Sequence, residues 1–114
     1  MNECVKRLSD GDHPVETARP EKTAKALKEC IDRDYVHVMF TETGTELGVR
    51  LNTAECDFTH GDFEAGTGTV HLSGGLILND EKVRCAADIR LDSLEGRGRL
   101  EPVDDAEYDR LMGK

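Results

Sequence analysis

From residue 35 almost to residue 101, the apolar residues of this chain recur with a period of two. That period belongs to strands with one buried face, so most of the chain is confined to antiparallel sheet. In YVHVMFTE, Val36, Val38 and Phe40 point one way, and Tyr35, His37 and Met39 the other. Gly44 interrupts the run, and TELGVRLN sets Leu47, Val49 and Leu51 on one face as a hairpin partner. Past Asn52 the parity changes, since Ala54, Cys56 and Phe58 fall on even numbers, and a parity change inside a continuous strand predicts a bulge. Val70, Leu72, Gly74, Leu76 and Leu78 form the next even-numbered face, with a bend at Gly74-Gly75 and turn chemistry at Asn79-Asp80. The clearest strand follows, with Val83, Cys85, Ala87, Ile89 and Leu91 on one side and Arg84, Asp88, Arg90 and Asp92 on the other. EGRGRLE (95–101) is the last, turning Arg97 and Arg99 outward.

Before residue 35 the pattern is helical. PEKTAKALKECIDRD carries Ala24, Leu27 and Ile31 at i, i+3 and i+7, with Cys30 beside them. Glu21–Lys25 and Glu29–Arg33 are i,i+4 pairs in the favourable order, and Pro20 suits a first helical position. The spacing predicts an amphipathic helix of about four turns. Residues 1–18 show no period and read as a loose arm. Residues after Pro102 read as a short helix. Nine of the eleven glycines lie between 44 and 98, where a sheet must bend. The expected fold is therefore α+β, one domain over 1–114. One N-terminal amphipathic helix packs on the concave face of a strongly bent antiparallel meander of roughly five strands, with a short C-terminal helix. This order is similar to several cone-shaped and cystatin-like α+β folds, a likeness of architecture that carries no residue and no activity with it.

Charge narrows the partners. The net charge is −9, and residues 51–81 hold Glu55, Asp57, Asp62, Glu64, Asp80 and Glu81 without one Lys or Arg. That sign opposes nucleic acid and anionic membranes. No apolar run marks a signal peptide or a membrane span, so a cytoplasmic protein with reduced thiols is expected. Cys4, Cys30, Cys56 and Cys85 contain no CxxC pair and read as free, mostly buried residues.

The stretch CDFTHGDFE (56–64) gathers a thiol, a histidine and three carboxylates within nine residues. It also has the near-symmetry of a hairpin tip. Cys56 and His60, four apart, would converge on a metal if helical, but the segment has no helical period, and zinc sites draw on two compact ligand pairs. The expectation is a tight turn at Thr59-His60-Gly61, Gly61 supplying a positive φ, with Phe58 and Phe63 meeting over the core, and no metal or cofactor. GTGTV (66–70) and EGRGR (95–99) lack the spacing of phosphate loops and open no helix, so they read as strand glycines. The outward arginines at 84, 90, 97 and 99 are interleaved with Asp88, Asp92 and Glu95, which points to cross-strand ion pairing.

Leu, Ile, Val and Phe number 25 of the 114 residues, a lean core that a second copy could enlarge. Tyr35, Met39 and Ile77 share the outer face with His37 and His71, and exposed apolar patches mark interaction sites. The preferred reading is a small, soluble, acidic, non-enzymatic binding or adaptor protein acting by protein–protein contact. It is expected to be a homodimer through an interface near His37 and Ile77. The alternative is a small-molecule or enzymatic pocket protein, with a cavity between helix and sheet lined by Tyr35, His37, Met39 and His71. A weaker third is an acidic inhibitor or decoy for a basic partner.

Overall fold

The computed structural model describes residues 3–18 and 21–113, with side chains from Lys6 onward. The chain runs α1 (Glu3–Leu8), β1 (His13–Glu16), α2 (Ala24–Asp32), β2 (Tyr35–Phe40), β3 (Thr45–Leu51), β4 (Gly61–Asp62), β5 (Thr67–Leu78), β6 (Glu81–Arg90), β7 (Glu95–Pro102) and α3 (Asp105–Leu111).

The sheet is not an open meander. Its strands follow the order β3-β2-β1-β7-β6-β5, and β3 pairs again with β5, closing a six-stranded antiparallel barrel with β4 appended to β5. Two features overturn the α+β reading. First, part of the presumed loose arm is barrel wall: β1 lies between β2 and β7, with Val15 opposite both Phe40 and Gly96. Pro14 argues against a central strand, but here it accepts from Thr41 N–H at 3.2 Å and need not donate on that side. Second, Arg50 and Leu51 pair with Gly75 and Gly74. Gly74 permits this close approach because it has no side chain to hold the strands apart.

Closure leaves no concave face for a helix to cover, and the barrel is filled by its own side chains, among them Phe40, Leu72, Ile89 and Leu100, all within 2% of full burial. The helices are minor. Instead of about four turns from residue 20, α2 has nine residues: Thr23 caps it by accepting from Ala26 N–H at 3.1 Å. Pro20 lies outside the described residues. Ala24, Leu27, Cys30 and Ile31 join the core, and Asp34, at φ 59, ends the segment in the left-handed conformation. Leu8 of α1 is also a core residue. Thus, among the described residues, three short α-helices decorate a barrel.

The alternation within strands is as the sequence suggests, with Val83, Cys85, Ala87, Ile89 and Leu91 all buried. The parity change after Asn52 has another cause than a bulge. β3 stops at Leu51, and Thr53–Glu55 form a 3₁₀ turn capped by the Asn52 side chain, which accepts from Ala54 N–H at 3.0 Å.

Candidate functional site

The stretch from Cys56 to Glu64 follows that turn. Phe58 and Gly61 close a tight turn (Gly61 N–H to Phe58 carbonyl, 3.2 Å), and the Phe58 and Phe63 rings meet edge to face at 6.5 Å. It is not the tip of a hairpin between β3 and the next strand, because β4 pairs with β5, Gly61 facing Gly68. The positive φ belongs to Gly66 and Gly68, not Gly61. The carboxylates are spent on holding the loop. Asp57 Oδ1 accepts from Thr59 N–H at 2.9 Å and Thr59 Oγ1 at 2.7 Å, bonds that hold its carboxyl below the usual carboxylate range. Asp62 Oδ1 accepts from the N–H groups of Glu64 and Ala65, both at 3.0 Å. Cys56 Sγ sits 3.3 Å from the Asn52 carbonyl and 3.4 Å from that of Ser73, and burial pushes its thiol up. The thiol is therefore engaged with backbone carbonyls and protonated, a poor nucleophile or ligand. Among the described residues, no group of three or more His, Cys, Asp or Glu is arranged to hold a metal ion.

The predicted pocket residues fall in two places. Tyr35, His37 and Met39 stand on the outer face of β2, where the Tyr35 and His37 rings meet edge-on at 5.3 Å. His71 is on β5, with Nδ1 2.8 Å from Asp88 Oδ1 on β6. It lines a separate open hollow of about 240 Å³ with Asp57 and His60.

His37 and Ile77 stand on strands that both border β3. His37 pairs with Gly48 on β3, and β3 meets β5 at Arg50–Gly75 and Leu51–Gly74, two residues before Ile77. The Tyr35 side chain lies across Gly48, since a Cβ there would meet its hydroxyl at 1.9 Å. Tyr35 (47% exposed) and Ile77 (54%) are the large hydrophobic residues left exposed among those described. Arg50, opposite Tyr35, is exposed and forms no ion pair among the described residues. The outer face of β2, β3 and the end of β5 therefore presents a tyrosine packed across a glycine, an arginine opposite it and an exposed isoleucine. Tyrosine and arginine are enriched where protein interfaces concentrate their binding energy.

Next to this face, α3 lies over Gly75 and is fastened by a charge network that long-range folding alone assembles. Glu55 accepts from Arg84 Nε at 3.0 Å, from Ser73 Oγ at 2.8 Å and from Arg110 at 2.5 Å. Arg84 also reaches Glu101, its cross-strand neighbour, at 2.9 Å and contacts Glu107 of α3. Of the other outward arginines, Arg90 pairs with Asp92 along the chain, while Arg97 and Arg99 form no ion pair among the described residues. Cross-strand pairing thus accounts for Arg84 in part and not for the rest. Sequence reasoning missed Glu55 because it lies 29 residues from Arg84 and no short-range pattern links them. It also missed a groove between α2 and the 58–63 loop.

No helix among the described residues is long and apolar enough to cross a membrane. A family model, core binding factor beta subunit, matches residues 15–111, from the centre of β1 to the last residue of α3. No curated protein matches the chain.

Proposed function

The chain belongs to the core binding factor beta subunit family, a family of protein–protein interaction domains, and on that premise we propose that it is the non-catalytic subunit of a two-part assembly. Its partner protein docks on the outer face of β2, β3 and the end of β5. The observation that carries this reading is the pair of exposed residues Tyr35 and Ile77, the large hydrophobic residues left exposed among those described, with Tyr35 lying across Gly48 and opposite Arg50, which forms no ion pair among the described residues. Two turns frame the face: Gly44, at φ 66, joins β2 to β3, and Asn79-Asp80, both at positive φ, join β5 to β6. That second pair of angles is what a tight primed hairpin turn requires, so the end of β5 is firmly placed.

The acidic balance supports the same division of labour. A chain of net charge −9 is poorly suited to phosphate backbones, so contact with nucleic acid falls to the partner. Residence follows the partner too, which broadens the cytoplasmic expectation to include the nucleus. The predicted homodimer would use the same surface, so a second copy is the competing occupant.

The test is calorimetric titration of the partner subunit with the wild-type chain, Tyr35→Ala, Ile77→Asp and, as a control on another part of the wall, Arg90→Asp. The first two variants should each bind at least tenfold more weakly, and the control should be unchanged. Equal affinity for all four would overturn the proposed face. Sedimentation of the chain alone, giving a dimer that Ile77→Asp dissociates, would assign the face to a second copy.

A further inference from the structure

A second feature of the molecule is a groove of about 350 Å³ between α2 and the 58–63 loop. Its lining includes Ile31 from α2, Thr53 from the 3₁₀ turn, and Phe58 and Phe63 from the following loop. The two phenyl rings, at 62° to one another, are only partly buried and pack against the core, so the groove has an apolar floor on a fixed support. Its volume lies in the ~300–1,000 Å³ range of ligand sites.

The rim is charged, and its charges are not equivalent. The Lys28 ammonium is taken by Asp32 at 2.6 Å, one turn along α2. Asp34 forms no ion pair among the described residues, although it is exposed at the mouth. Its backbone is held on both sides: its N–H donates to the Ile31 carbonyl and its carbonyl accepts from Leu51 N–H, each at 2.9 Å. An aspartate fixed in the left-handed conformation therefore offers an uncompensated carboxylate beside an aromatic floor. The strand and loop residues from 51 to 81 bring no lysine or arginine to balance it.

We propose that this groove is a docking site for an extended peptide segment of a partner protein, in which a large apolar side chain neighbours an arginine or lysine. The apolar side chain enters between Phe58, Phe63 and Ile31, and the cation pairs with Asp34. The site adjoins the face around Gly48, since Asp34 precedes Tyr35 and its carbonyl accepts from Leu51 N–H, but the two share no lining residue.

Backbone amide NMR titrations with three blocked dipeptides test it: N-acetyl-Phe-Arg-amide, N-acetyl-Phe-Glu-amide and N-acetyl-Gly-Arg-amide. The first should give saturable shifts at Asp34, Phe58 and Phe63, and the other two should bind at least fivefold more weakly. Asp34→Asn retains a residue suited to positive φ and should bring the Phe-Arg to Phe-Glu preference close to one. Phe63→Leu, which keeps an apolar side chain should Phe63→Ala disturb the loop, should weaken Phe-Arg at least threefold. No saturable shift with Phe-Arg, equal binding of Phe-Arg and Phe-Glu, or an unchanged preference in Asp34→Asn would each overturn the proposal.

Discussion

A Cβ placed on Gly74 would stand 2.1 Å from the carbonyl oxygen of Arg50. The oxygen is backbone and a Cβ is fixed by its own backbone, so neither can swing aside, and the seam between β3 and β5 must open to admit a methyl group. Gly74→Ala should therefore cost about 3 kcal/mol, the upper part of the overpacking range. Gly75→Ala should cost under about 1 kcal/mol, because its nearest neighbour, at 3.1 Å, is the flexible thioether of Met112. Urea denaturation of the two variants checks this, and equal losses would mean that the seam is not closed by Gly74.

Glu55 joins the barrel to α3, and it gives stability a pH dependence. Burial pushes its carboxyl up, but hydrogen bonds from Arg84, Arg110 and Ser73 outweigh that and hold it at about 2, against an ordinary 4.5. A carboxyl lowered in the folded state contributes fully above the unfolded value and loses its contribution as pH falls towards the folded one. The wild-type chain should accordingly lose stability between about pH 5 and about pH 2. Glu55→Gln should be less stable at neutral pH by about 2 kcal/mol, since it weakens charge-assisted hydrogen bonds to a largely buried guanidinium that keeps Glu101 and Glu107, and its stability should vary less over the acidic range. Denaturant melts at several pH values measure both effects. An acid slope as steep in Glu55→Gln as in the wild type would remove Glu55 from this role.

What was legible in the sequence was local. Alternation reported which face of β5 and β6 turns inward, because each strand has one wet side. The contact of Phe58 with Phe63 was legible too, since both flank one tight turn. Barrel closure was not, because it rests on pairing between residues far apart, Arg50 with Gly75 and Val15 with Gly96. β1 is also too short and too polar to show a period, and Pro14 argues against it. The outer face was legible as apolar residues of the wrong parity, Tyr35 and Ile77. That both their strands border β3 depends on the β3–β5 seam, as does the separation of His71 from Tyr35 and His37.

Cys85 faces Gly74 across the β5–β6 ladder, and burial pushes its thiol up to about 12. Around pH 8 its thiolate is about one part in ten thousand, and the thiolate is the reactive form. Iodoacetamide followed by peptide mass spectrometry should label half-buried Cys56 slowly and Cys85 only after unfolding. Cys85 alkylated in the native protein as fast as Cys56 would show that the barrel opens along this ladder.

The central claim is that a partner protein occupies the outer face of β2, β3 and the end of β5, and NMR cross-saturation from an unlabelled, protonated partner subunit into the deuterated chain tests it most directly. The account predicts signal loss at Tyr35, His37, Gly48, Arg50 and Ile77, with Asp88 and Arg97 on the β6–β7 wall retained. Loss centred on Asp88 and Arg97, with Gly48 and Ile77 unaffected, would contradict it.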